Sequence, residues 1–108
     1  MTHFKAVVPV AMLLAALLAA PAAQASAELA AKAGCATCHA ADKPLLGPSW
    51  QAIAGKYKGQ ANAASLLAER VRKGSVNVWG KLPMPPTPTD KMSDADLKLV
   101  VSWVLKTR

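Results

Sequence analysis

Histidine and cysteine are scarce in this chain, which has 108 residues and only two of each. His3 lies in an N-terminal segment that resembles a cleavable signal peptide. After its removal the cysteines and histidines that remain are Cys35, Cys38 and His39. A structural zinc site takes four protein ligands. Three such residues are too few, and this excludes a Cys/His zinc site built within one processed chain.

Acidic residues are also few, with six against thirteen basic ones and a net charge of +7. A basic surface on a small domain favours acidic partners and speeds their encounter, although such charge can also be simply solvated. The sequence contains no alternating strand run, repeat or nucleic-acid motif. We therefore expect one all-α domain that does not bind nucleic acid.

Residues 1–25 have the layout of a secretory signal peptide. A basic start precedes residues 6–23, which are all apolar or proline, and a small-x-small cleavage site ends at Ala25, with a second candidate cut after Ala27. The alternative is a membrane anchor, but a spanning helix needs about 20 apolar residues, and this stretch is shorter and contains two prolines. We predict cleavage, no stable membrane insertion, and a domain over 26–108. A chain of that size buries only about 60% of its unfolded surface, so its core needs a cofactor or cross-links.

The segment Cys35-Ala36-Thr37-Cys38-His39 is the attachment signature of c-type haem. Two thiols one turn apart can each add to a haem vinyl group, and the next residue directs its imidazole towards the iron. A disulfide and a thioredoxin-like dithiol share this spacing. The dithiol belongs to a strand-helix fold, which this sequence does not show, and haem would supply the apolar body that the small core lacks.

The second axial ligand of such a haem is predicted to be Met84. His39 is the only histidine after the leader, so a single chain cannot supply two imidazoles, and Met, Lys, water or no ligand remain. Prolines on both sides of Met84 prevent a helix and make a stiff, extended loop that presents the thioether at a fixed place. Met92 is the alternative, but it lies just before a helix start and is typical of a core or capping contact.

Four helical segments are predicted. An Ala-rich segment over 27–38 runs into the haem motif, and a second covers about 49–56. A third lies between Asn62 as its N-cap and Gly74 as its stop. The fourth begins at the capping signal of Ser93. Its apolar residues follow at helical spacing: Leu97, Val100, Val101 and Val104.

In the haem motif, in Gly47-Pro48, in the segment from Trp79 to Pro86 and in the closing helix with Trp103, the chain resembles a short bacterial class I cytochrome c. The resemblance is to the small soluble periplasmic type linked to respiration, including nitrite reduction. It implies about four short helices wrapped around one covalent haem c with His/Met ligation. It also implies a periplasmic mono-haem electron carrier rather than an enzyme.

The resemblance implies further roles near the haem. The Pro48 carbonyl would accept from the outward nitrogen of His39, and Arg70 and Trp79 would donate to a haem propionate. The alternatives are an exposed helix arginine and a core tryptophan. The family often has Asn soon after the ligand Met, whereas this chain has Thr87.

Transient redox partners with acidic surfaces are expected to dock at the haem edge. The lysines proposed to guide them are Lys43, Lys56, Lys81 and Lys91. One alternative is a permanently bound haem c subunit of a larger oxidoreductase, and another is a gas sensor or haem enzyme with an open coordination site.

Overall fold

This computed structural model describes residues 23–108, so the predicted signal peptide lies outside the described residues apart from its last three positions. The described helices are α1 over 23–32, α2 over Trp50–Tyr57, α3 over Ala63–Lys73 and α4 over Asp94–Leu105. Within residues 23–108 there is no strand, only two isolated β-bridges. The prediction of an all-α domain with four short helices is therefore confirmed.

The predicted first helix is wrong beyond residue 32, because the chain turns at Gly34. Gly34 has φ +91°, a left-handed conformation that glycine adopts without strain. A 3₁₀ turn over Cys35–Thr37 follows. In this turn the amides of Cys38 and His39 donate to the Cys35 carbonyl at 3.1 and 2.9 Å. The haem motif therefore lies in a tight turn after α1, not at the end of a long helix.

Helix α2 is joined directly to the haem motif at its N-terminus. The Ser49 hydroxyl accepts a hydrogen bond from the Ala52 amide at 3.0 Å, which caps the helix. The Trp50 and Gln51 amides donate to the carbonyls of residues 40 and 41 at 2.8 and 3.1 Å. The first turn of α2 thus satisfies its amides with the segment that directly follows His39.

Helix α3 begins and ends where predicted, but its N-cap differs from the prediction. The Asn62 side chain makes no capping hydrogen bond, while its carbonyl accepts from the Leu66 amide and the Ser65 hydroxyl, each at 3.0 Å. At the other end Gly74 has φ +75° and ends the helix.

Helix α4 is the centre of the core and packs against both α2 and α3. Ser93 caps it by accepting from the Asp96 amide at 3.1 Å, as the capping signal predicted. The buried cluster joins all four helices and Met92, and consists of Ala30, Ile53, Tyr57, Ala63, Met92, Leu97, Val100, Val101 and Val104. No helix over residues 23–108 has the length and apolarity needed to cross a membrane.

The two N-caps of α3 and α4 lead to a first prediction. Ser93→Ala removes an observed capping bond and is expected to lower the free energy of unfolding by about 1 kcal/mol. Asn62→Ala removes no such bond and is expected to cost only roughly a few tenths of a kcal/mol. Denaturant unfolding of the two haem-attached variants measures both values, and equal losses would contradict the assignment of the caps.

Candidate haem site

An apolar cavity of about 680 Å³ opens between the haem motif and the three later helices. This volume is within the range of about 300–1,000 Å³ that small-molecule and cofactor sites occupy. Cys35, Cys38 and His39 line it together with Met84, which is remote from them in the chain. Aliphatic side chains from the helices complete the wall: Ile53, Leu67, Val71, Leu97, Val100, Val101 and Val104.

The imidazole of His39 is buried and held by one hydrogen bond. Its Nδ1 lies 2.7 Å from the Pro48 carbonyl oxygen. Since a carbonyl only accepts, Nδ1 must carry the proton and donate it. A neutral ring then has its lone pair on Nε2, which is the form that binds a metal.

Two neighbours fix the plane of the His39 ring. Trp50 stacks on it with ring centroids 4.6 Å apart and an interplanar angle of 26°. A Cβ built on Gly47 would lie 2.8 Å from His39 Cε1, so only glycine allows this approach of the backbone. No sequence motif indicates that Trp50, the first residue of α2, contacts His39. Periodicity within one helix carries no signal for that contact.

The two cysteines are half-buried free thiols in this structure. Burial raises the pKa of the Cys35 thiol above its usual range, and the neighbouring Cys38 adds to the increase, while a backbone hydrogen bond opposes it. This shift favours the thiol over the thiolate at Cys35. A thioether has no such proton, so attachment removes this titration.

The main chain of Met84 is fixed from α3. Its amide donates to the Ser75 carbonyl at 2.9 Å, and its carbonyl accepts from the Ser75 amide at 3.0 Å. A Cβ built on Gly74 would lie 2.5 Å from the Met84 carbonyl oxygen and 3.0 Å from the Pro86 nitrogen. The end of α3 thus supports the segment that carries the thioether, a role of Gly74 beyond the helix stop predicted from sequence.

Met92 also reaches the cavity, but from the buried core. It is only 3% exposed, and its amide donates to the Pro88 carbonyl at 3.2 Å. This is the core position expected from its place before α4. Met84, in contrast, is partly exposed and belongs to an extended, proline-bounded segment.

Arg70 and Trp79 both line the cavity. The Arg70 Nε is buried and has no hydrogen-bond partner among the described residues. Trp79 is 43% exposed. The ammonium of Lys56 lies 4.6 Å from the centroid of its ring.

The residues around the cavity fit a haem. Buried donors normally have partners, and a propionate carboxylate is an acceptor of the kind that the Arg70 Nε lacks. The walls are apolar, two thiols stand at one side, and an imidazole whose Nδ1 is bonded to the Pro48 carbonyl lies next to them. This donor set suits iron porphyrin, since imidazole and thioether are both established axial ligands.

Comparison with known proteins shows the family. The family model described as cytochrome c matches residues 23–108, so the chain belongs to the cytochrome c family. The cytochrome c2 of Rubrivivax gelatinosus is 68% identical over 81 residues, which cover 75% of this chain and 95% of that protein. The cytochrome c-552 of Nitrosomonas europaea is 44% identical over 90 residues, covering 83% of this chain and 85% of the relative. The crystal structure of wild-type Nitrosomonas europaea cytochrome c552 superposes with a TM-score of 0.71 and 40% identity, covering 76% of this chain and 99% of that one.

Within this family the chain is a small mono-haem class I cytochrome c of the c2, c-551 and c-552 type. It carries one covalent haem c through the motif of Cys35, Cys38 and His39. It is an electron carrier and not an enzyme. The predicted fold, family, covalent haem and function class are confirmed.

The contact of Gly74 with the Met84 segment leads to a second prediction. Gly74→Ala forces a Cβ into the Met84 carbonyl and strains a left-handed residue, so we expect a loss of about 1–3 kcal/mol in unfolding free energy. Gly55→Ala is the matched control, because Gly55 lies inside α2 with no atom within 4 Å of a built Cβ. It is expected to stabilise the protein by roughly 0.5–1 kcal/mol. Denaturant unfolding measures both, and a neutral Gly74→Ala would contradict the close packing.

Proposed function

We propose that this cytochrome is a periplasmic one-electron carrier whose haem iron is bound by His39 and Met84. One observation carries the proposal: both side chains line the same apolar cavity, and each belongs to a segment held by hydrogen bonds. Haem supplies an iron that gains or loses one electron. The protein supplies two ligands that stay in place.

The chemistry of the two ligands favours a raised reduction potential. The hydrogen bond from His39 Nδ1 to Pro48 orients the ring and strengthens the donor character of Nε2. The soft thioether of Met84 favours the reduced iron over the oxidised one, as does an apolar surrounding. We assign Arg70 and Trp79 as donors to a haem propionate, which is supported by the unpartnered Nε of Arg70.

Export to the periplasm follows from the signal-like layout of residues 1–25 and from haem attachment to a thiol pair. The proposed mature domain, 26–108, begins within the described part of α1. The resemblance to small bacterial carriers agrees with that location.

The rim of the cavity supports transient docking of acidic redox partners. Leu45, Leu46 and Leu82 line the cavity and are 48%, 63% and 63% exposed. Contiguous exposed apolar patches are typical of interaction surfaces. The lysines assigned to guide partners are all exposed: Lys43, Lys56, Lys81 and Lys91. Of these, Lys56 lies over Trp79 at the cavity, and the others are neighbours in sequence of cavity-lining residues.

The ligand assignment gives a third prediction. Met84→Ala should keep the haem covalently attached but lose the red-edge absorption of the oxidised protein that sulfur ligation produces. The oxidised and reduced optical spectra measure this directly. Met92→Leu is the control, and it should keep the band because it replaces core volume with core volume.

Two results would decide against Met84. The red-edge band could persist in Met84→Ala and vanish in Met92→Leu, which would identify Met92 as the ligand. Alternatively, the reduced wild-type protein could bind carbon monoxide readily at neutral pH. That behaviour would indicate an open coordination position, as expected for a gas sensor or a haem enzyme.

The docking surface gives a fourth prediction, measured as the rate of oxidation of the reduced protein by ferricyanide. One electron passes from the protein to each ferricyanide, giving ferrocyanide. Because the rim is basic, the rate should fall as ionic strength rises. Lys56→Gln and Lys81→Gln should slow it about two-fold or more at low salt.

Lys98→Gln is the control for this series, since Lys98 belongs to α4 and borders a different groove between α3 and α4. It removes the same charge and should change the rate less. A cationic cobalt phenanthroline oxidant should show the reverse dependence on salt. If the oxidation rates with both oxidants do not change with ionic strength, electrostatic guidance by these lysines is refuted.

A further inference from the structure

We propose that Arg72 is a positioning residue that holds Met84 on the haem iron by clamping the main chain of Thr87. This inference rests on Met84 being the ligand, as proposed above. Arg72 does not line the haem cavity. Its effect would be transmitted through the segment that follows Met84.

The segment over 84–88 has few main-chain hydrogen-bond donors. Pro85, Pro86 and Pro88 have no amide hydrogen, so only Met84 and Thr87 can donate main-chain hydrogen bonds here. The Met84 amide is bonded to Ser75. Thr87 is therefore the next point at which this segment can be fixed by its own amide.

Both main-chain groups of Thr87 are bonded to α3. Its amide donates to the Val71 carbonyl at 2.8 Å, and its carbonyl accepts from Arg72 Nη1 at 3.1 Å. The last turn of α3 thus binds Thr87 from two successive residues. With the Ser75–Met84 bridge, α3 and its end hold the ligand segment at two places.

A second contact orients the guanidinium of Arg72. Its Nη2 lies 2.7 Å from Oδ1 of Asp94, the first residue of α4. The Arg72 side chain is 20% exposed and that of Asp94 is 88% exposed, so the ion pair is screened and weak in itself. The ion pair instead orients the guanidinium. Because this group is planar and rigid, fixing Nη2 at Asp94 directs Nη1 towards the Thr87 carbonyl.

Among the described residues, Thr87 is held through its main chain and not through its side chain. The donor to the Thr87 carbonyl is Arg72 of α3. A hydrogen bond from a charged group is stronger than one between neutral groups. Release of Met84 from the iron would therefore be opposed by the bond from Arg72.

Imidazole binding to the oxidised protein tests this idea. Imidazole can bind the iron only when Met84 leaves it, so its apparent affinity reports the population of the released state. Arg72→Ala should raise that population and tighten apparent imidazole binding about ten-fold. Loss of the red-edge band during titration follows the exchange, and no electron transfer to a partner is needed.

Three further variants separate positioning from general stability. Lys73→Ala removes an exposed ion pair with Glu69 from the same helix and should leave imidazole affinity unchanged. Asp94→Asn retains the bond to Thr87 and should have a smaller effect than Arg72→Ala. Arg72→Lys should rescue part of the affinity change, because one ammonium can reach only one of the two partners. If Arg72→Ala does not fold, the titrations of Arg72→Lys and Asp94→Asn take its place. Tighter imidazole binding by these variants would support the clamp, and unchanged binding by both would overturn it.

The Met84→Ala background completes the test. With no thioether to displace, imidazole should bind tightly, and adding Arg72→Ala should change its affinity no further. An equal effect of Arg72→Ala in both backgrounds, or none in the wild type, would overturn the clamp while leaving Met84 as the ligand. A wild-type protein without the red-edge band would instead refute the proposed ligation, and the clamp with it.

Discussion

Two hydrogen bonds between Ser75 and Met84 decide where the C-terminal half of the chain meets the haem cavity. They depend on Gly74, whose missing side chain and left-handed conformation let the end of α3 lie directly against the Met84 carbonyl. Helix α3 is in turn packed on α4, the centre of the core. The thioether is thus carried by a short, proline-bounded segment whose position is set by the two helices behind it.

The N-terminal side of the cavity is formed by contacts between residues that are close together in the chain. Gly34 ends α1, a 3₁₀ turn places the two thiols, and the chain then folds back so that Pro48 accepts from His39. Trp50 and Gly47 enclose the ring between them. His39 and Met84 are therefore both supported by backbone geometry rather than by long flexible side chains, which suits the proposed role of the two residues as ligands that stay in place.

The charge of the protein surface concerns the encounter with redox partners and not the binding of haem. In the full sequence basic residues outnumber acidic ones by thirteen to six. Exposed leucines line the cavity, and Lys56 lies over Trp79 at the same cavity. Long-range attraction of this kind accelerates encounter without making the complex permanent. A small apolar rim combined with surrounding charge is consistent with a carrier that must bind its partners and leave them again.

Much of the site was predictable because its information is local. The spacing of Cys35, Cys38 and His39 follows from the chemistry of haem attachment, and the prolines beside Met84 limit its backbone wherever it folds. The boundaries of the last three helices were indicated by caps, glycine stops and helical periodicity. The end of α1 was missed, since an Ala-rich run continues to favour helix while the conformation of Gly34 is set by the tight turn of the haem motif after it.

The sequence by itself determined the chemistry: one covalent haem, one histidine to bind it, and an all-α domain small enough to need it. Only the tertiary structure decided which groups support that chemistry. The stacking of Trp50 on the His39 ring and the hydrogen bonds from Arg72 to Thr87 and Asp94 join separate segments of the chain. The physical reason is that capping, spacing and periodicity act over a few residues, whereas these contacts exist only once helices pack around the cavity.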